Sequence, residues 1–253
     1  MKTENRFFIR IQSPVHIGCD EVYEPMSFVV DEDACTLTAF DSLDFFRNIS
    51  TVDKTRFGDI CRKGTIASLL ELNQFMQGKK AEGYRVKTCQ GFIDHYKQNL
   101  SMRPGDQRKI QNEINKFSIF RTSFHVHTNL PYLPGSSIKG ALRTAYLSTL
   151  QAHKKLPLGY RDAKKLETDL LDGGSFNTDP FRFLKVSDFQ PVQVTTKIVY
   201  AVNEKKGQSE RPRRGIPQIV EIIEPGAVFI GTIDVEERYT SVSSILKCRI
   251  ETR

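Results

Sequence analysis

Apolar residues recur with period two near both ends of this 253-residue chain and with helical spacing between them, an order that restricts the fold more than any other feature. Near the start, Phe7, Ile9 and Ile11 alternate with Arg6, Arg10 and Gln12, the pattern of a half-buried strand. Apolar runs over 27–30 and 35–40 flank Asp31-Glu32-Asp33-Ala34, an acidic turn that closes a hairpin. Asp41 or Ser42 then caps a helix whose apolar residues are Leu43, Phe45 and Phe46. A second helix is expected over 65–76, broken by the stretch from Gly78 to Gly83, and a further helical region over 91–117 is interrupted at Arg103-Pro104-Gly105. Residues 50–117 thus read as a helical insertion between two β-rich parts.

The alternation returns over 119–128, with Phe120, Phe124 and Val126 on one side and Arg121, Ser123, His125 and His127 on a polar, partly basic side. A loop and a helix carrying Ile138, Leu142, Ala145 and Thr149 along one stripe follow. Strands are expected over 181–186, 192–202, 216–223 and 228–235, the last two joined by Glu224-Pro225-Gly226. The polar, basic stretch 203–215 lacks core-forming residues and reads as a mobile loop. Strands with helices between them give an α+β class, to which ferredoxin-like, RRM-like RNA-binding sheets belong, and two units are expected, over 1–128 and 129–253.

Net charge is +7 and unevenly placed. Residues 1–50 carry four Lys/Arg against nine Asp/Glu, whereas 101–165 carry twelve against three, so one region attracts polyanions. Cys19, Cys35, Cys61, Cys89 and Cys248 form no CxxC pair, which leaves reduced thiols and no expected metal or cofactor. The first residues contain no apolar h-region and no stretch approaches the roughly 20 apolar residues of a membrane span. A cytoplasmic protein without a membrane partner is the expectation.

The most informative stretch is Gly135-Ser136-Ser137-Ile138-Lys139-Gly140-Ala141-Leu142-Arg143. Free N–H groups in the first turn of a helix, reinforced by its dipole, make a phosphate site. Gly135 permits close backbone approach, and Ser136 or Ser137 caps the helix or donates to an oxygen. Lys139 and Arg143, one turn apart, are placed to follow successive phosphates. A nucleotide-binding GxxxxGK[ST] loop is excluded, because Ala141 and Leu142 occupy its Lys and Ser/Thr positions.

From Tyr132 to Arg143 the sequence YLPGSSIKGALR resembles the Pro-Gly-Ser-Ser signature of RAMP proteins in type III CRISPR complexes. Two further stretches agree in order: Ser13-Pro14-Val15-His16-Ile17-Gly18 is similar to their N-terminal strand-end motif, and Glu221 to Gly226 with Phe229 to their late E-x-[IV]-x-x-G-x-x-F stretch. The long separation of His16 from Gly135, with Tyr23-Glu24-Pro25 after the first motif, is more similar to the Csm-type subunit capping the guide-RNA 3′-end side of a type III-A complex than to its repeating backbone subunits. That resemblance implies a non-catalytic subunit that binds crRNA, contacts a neighbouring RAMP backbone subunit and supports complex assembly and crRNA 3′-end maturation by host nucleases. His16, Gly135, Ser136, Ser137, Lys139, Gly140 and Arg143, with Arg211, Arg213 and Arg214 of the basic loop, are the expected RNA contacts. Subunits of this type continue well past the late glycine motif, so a second unit truncated or abbreviated at Arg253 is expected.

Two other readings stand beside it. A metal-independent RAMP endoribonuclease would use a histidine as general base, with His16 foremost and His125 and His127 next. A target-cleaving backbone subunit would use an acidic loop residue, for which Asp31 and Asp33 are available.

Overall fold

The computed structural model describes residues 5–103, 105–154, 162–171, 179–203 and 217–236. The strands are β1 (Arg6–Arg10), β2 (Gly18–Val22), β3 (Phe28–Asp31), β4 (Thr36–Ala39), β5 (Tyr84–Thr88), β6 (Ile119–Thr122), β7 (Leu184–Val186), β8 (Gln190–Gln193), β9 (Thr196–Ala201), β10 (Gln218–Ile223) and β11 (Val228–Val235). The helices are α1 (Ser42–Asn48), α2 (Thr51–Lys63), α3 (Ile66–Met76), α4 (Gln90–Leu100), α5 (Gln107–Lys116), α6 (Gly135–Lys154) and α7 (Ala163–Leu170). The class is α+β. Two compact units interleave in sequence where consecutive ones were expected: a larger one from Arg10–Pro131 and Gln193–Ala227, and a smaller one from Met1–Ile9, Tyr132–Val192 and Val228–Arg253.

The larger unit is built on a seven-stranded sheet in the order β2-β6-β10-β9-β5-β4-β3. The β3–β4 hairpin forms as its sequence dictates: Asp31 Oδ1 accepts the Ala34 N–H at 2.9 Å and Cys35 takes a positive φ of 48°. Asp41 caps α1 by accepting from Leu43 and Asp44, and Thr65 and Ser68 cap α3 reciprocally. The sheet is mixed, since β10 runs parallel to β6 and β5 parallel to β9.

Alternation along these strands divides two cores. Phe28, Val30, Leu37, Val86, Ile198 and Ile219 meet Phe92, Ile93 and Tyr96 of α4 on one side. Val29, pointing the other way, joins Phe40, Phe45, Ile60, Leu72, Phe75 and Met76. The region 50–117 is therefore more than a helical insertion, because β5 lies inside it and pairs with both β4 and β9. Its helix break near Arg103 is as expected, between α4 and α5.

In the smaller unit β11 lies between β1 and β7 and also pairs with β8. A side chain at Gly231 would meet the Phe189 ring at 2.6 Å, so only glycine lets that ring lie against β11. The strand expected over 192–202 is divided into β8 and β9, and the one over 181–186 begins as a 3-10 turn, Pro180–Phe183, capped by Asp179. Among the described residues no helix is long and apolar enough to cross a membrane.

Phe92 is fully buried and stacks on Phe117 with ring centroids 5.2 Å apart. Truncation of Phe92 to alanine leaves a cavity under the sheet and should cost about 3–5 kcal/mol, read as a lower urea midpoint in equilibrium unfolding.

Candidate functional site

The Pro-Gly-Ser-Ser stretch opens α6 in the smaller unit, and its backbone explains the glycine. A Cβ on Gly135 would lie 2.4 Å from the Val186 carbonyl oxygen and 2.7 Å from that of Ser187, so the turn is packed against β7. The Gly135 N–H donates to Asp188 Oδ1 at 2.8 Å, which fills part of the helix N-terminus with the protein's own carboxylate. Neither serine is seen as the cap. Ser136, Ser137 and Gly140 are exposed, and a side chain on Gly140 would meet nothing within 4 Å. An open hollow of about 370 Å³ adjoins this turn, lined among others by Ser136, Lys139, Lys185, Thr232 and Asp234.

The two cations expected to track phosphates have internal partners. Lys139 Nζ donates to the Leu184 carbonyl at 2.9 Å. Arg143 binds Glu167 through Nε at 2.8 Å and Asp179 through one terminal nitrogen at 2.7 and 2.8 Å. Hydrogen bonding to Asp179 is the main reason its guanidinium is held protonated above the usual range. Arg143 thus ties α6 to α7 and to the turn that starts at Asp179, a role its sequence position could not reveal because both carboxylates are remote in sequence. Lys139 stays at the hollow and keeps two further donors on its ammonium.

The first and third motifs meet in the larger unit. Val15 bridges Ile223, the backbone of Ile11 pairs with Gly226 and Ala227, and His16 Nδ1 lies 2.7 Å from the Glu221 carbonyl oxygen. A carbonyl only accepts, so Nδ1 is the donor in this hydrogen bond. The ring lies beside Gly18, where a Cβ would sit 3.6 Å from Nε2.

Beneath this junction lies a buried polar cluster that pattern reading missed. Arg121 was expected on a basic face, yet it is 8% exposed. Its guanidinium carbon lies 3.3 Å from the Phe124 ring centroid and 4.5 Å from that of Tyr23, and it donates to Asn129 Oδ1 at 3.0 Å. Glu221 is 1% exposed, and its Oε2, like the Tyr23 hydroxyl oxygen, meets no hydrogen-bond partner among the described residues. Burial raises the Glu221 carboxyl above its ordinary value, with nearby Arg121 pulling the other way. The acidic position of the late motif was the one available signal.

The remaining candidates lie elsewhere. β6 ends at Thr122, so His125 and His127 share no strand face. They belong to a reverse turn in which the His125 carbonyl accepts from Thr128 and Asn129. Asp31 is used in its own hairpin. Arg211, Arg213 and Arg214 lie outside the described residues. Among the described residues no group of three His, Cys, Asp or Glu is placed to hold a metal.

A raised carboxyl means that the folded state keeps the Glu221 proton to higher pH than the unfolded chain, whose value is near 4.5. The stability contribution of this group is therefore greatest at and below that pH and declines as pH rises until the folded carboxyl ionises. Glu221→Gln should flatten this decline, matching wild type near pH 4.5 and exceeding it at neutral pH in urea unfolding; parallel curves would contradict the assignment.

Comparison with known proteins bears on the whole chain. The CRISPR system Cms protein Csm5 of Methanocaldococcus jannaschii is 25% identical over 251 residues, covering 93% of this chain and 54% of that protein. The chain thus spans about half the length of the curated relative it matches. A chain in the cryo-EM structure of a Csm-crRNA-target RNA ternary complex of a type III-A CRISPR-Cas system superposes with a TM-score of 0.55 at 18% identity, covering 98% of this chain and 67% of that one. The crystal structure of T. onnurineus Csm5 gives 0.49 at 19% identity over 96% and 71%. A family model, that of the RAMP superfamily, matches residues 8–250, and with its three motifs in order over that span the chain belongs to the RAMP superfamily.

Proposed function

We propose that this chain is a non-catalytic crRNA-binding subunit of a type III-A CRISPR effector complex, set at the guide 3′-end side against a neighbouring RAMP backbone subunit. Its role is to hold guide RNA, support assembly and allow 3′-end maturation by host nucleases. The observation that carries this reading is the exposed first turn of α6, where Ser136, Ser137 and Gly140 face solvent next to the hollow lined by Lys139 and Lys185. Uncharged, sterically open backbone beside cations suits a phosphate chain held without regard to base identity. The Csm5 relative, matched over 93% of this chain, supports the choice of complex. Arg211, Arg213 and Arg214 are assigned to the same RNA by their charge, and His16 by its place in the first motif.

Ser137→Glu separates folding from binding. A carboxylate in the first turn interacts favourably with the helix dipole, by about 0.3–1 kcal/mol, so stability should hold or rise. The same charge repels phosphate, and crRNA affinity at low salt should fall by roughly three- to tenfold in a filter-binding titration. Undiminished affinity in the folded variant would count against the α6 turn as the RNA site.

The absence of self-cleavage is tested directly. Wild type incubated with labelled repeat-containing RNA, with and without magnesium, should leave it intact. Cleavage by wild type that disappears in His16→Ala would instead establish the endoribonuclease reading, with His16 as general base.

A further inference from the structure

The larger unit has an open trough of about 650 Å³ between the β3–β4 hairpin and the stretch that leads from α3 to β5. Val29, Thr38 and Arg85 pair in one row across β3, β4 and β5 and so share a face, on which Asp31 follows two residues along β3. Asp33 of the hairpin turn and Lys80 also line the trough, and all six residues belong to the same compact unit. The stretch after α3 starts at the hairpin, where Gln77 donates to Glu32 at 3.0 Å, and ends with Gly83 against the Ala39 carbonyl. Lys80 lies between those points, and Arg85, opposite Thr38, is displaced from the turn in the same direction. The acidic residues are therefore at one end and the basic ones toward the other.

Some charges here are already matched: Glu32 lies 3.4 Å from Lys97, and Lys79 binds Asp53 at 2.7 Å. Others are left over. Asp31 gives one carboxylate oxygen to the Ala34 N–H of its own turn. Asp33, Lys80 and Arg85 are exposed, and their side chains have no hydrogen-bond or ion-pair partner among the described residues. From this dipolar arrangement we infer that the trough docks an extended segment of a neighbouring protein chain, with a basic side chain for Asp31 and Asp33 and an acidic one for Lys80 and Arg85. The partner used in the test below rests on the proposed place of the chain in an effector complex. Two strand spacings of about 4.8 Å separate β3 from β5, and an extended segment rising about 3.3 Å per residue crosses that width with charges three or four positions apart. A phosphate chain is the poorer occupant, because one drawn to Lys80 and Arg85 meets Asp31 and Asp33 at the other end. A protein segment of mixed charge complements both ends, which fixes its direction as well as its place.

Two opposite charge reversals, Arg85→Glu and Asp33→Lys, test this in the full-length chain. Neither side chain has a partner to lose, so both variants should keep the wild-type thermal midpoint. Titrated against the RAMP backbone subunit loaded on crRNA, each should raise Kd roughly tenfold at low salt, a loss that shrinks as ionic strength rises. Affinity for crRNA alone should match wild type in both. A polyanion in the trough would give the opposite signature, with crRNA affinity lowered by Arg85→Glu and raised by Asp33→Lys, and that result overturns the proposal in favour of RNA. Wild-type association of either variant with the loaded backbone subunit overturns the trough as the docking site and leaves the complex reading standing. Failure of the wild-type chain to join the loaded backbone subunit at all overturns the trough together with the reading beneath it.

Discussion

Glu221 sits where the larger unit can least easily accept a charge, in the strand that joins β6 to β9 and almost wholly out of water. A buried carboxyl group is expensive unless its surroundings favour it or it keeps its proton. Here the surroundings are Arg121, itself held between two aromatic rings, together with the hydroxyls of Tyr23 and Thr196. The backbone of Glu221 accepts from His16, so one residue serves the core with its side chain and the motif surface with its carbonyl. Any shift of β10 would move both. Val15 and His16 of the first motif and Glu221 and Ile223 of the third thus form two sides of one junction.

The α6 turn works by a different balance. A helix N-terminus is a ready anion site, but the Gly135 N–H is already given to Asp188 and the nearby arginine to Glu167 and Asp179. On the reading proposed above, the places left to a phosphate are the later part of the first turn and the Lys139 side of the hollow. Such a site is moderate in charge, which suits the proposed role of holding a guide through many weak contacts, each phosphate contact adding to a salt-dependent total.

Much of the architecture was legible in the sequence. Period-two runs located the β3–β4 hairpin and β11, and cap residues located α1 and α3, because those signals act within a few residues. β5 escaped, since its Tyr84, Val86 and Thr88 alternate with Arg85 and Lys87 over only five residues amid helical sequence. The interleaving of the units was equally hidden, because strand partners separated by a hundred residues leave no local trace. At the candidate site, the motifs pointed to the α6 turn and the β10 junction but misjudged the charges: a lone arginine in sequence reads as solvent-facing, and only remote partners reveal Arg121 and Arg143 as internal.

The strand order of the larger unit also governs how the chain must come together. β9 and β10 occupy the middle of the sheet, between β6 on one side and β5 on the other, yet both come late in the chain. Until residues beyond 193 leave the ribosome, β2 with β6 and β3 with β4 and β5 are separate fragments, each with an unpaired edge. Closing loops of this length makes folding slow and leaves those edges open to other chains. For a nascent chain of this topology, the edges of the two fragments stay open until the β9–β10 pair arrives to fill the gap.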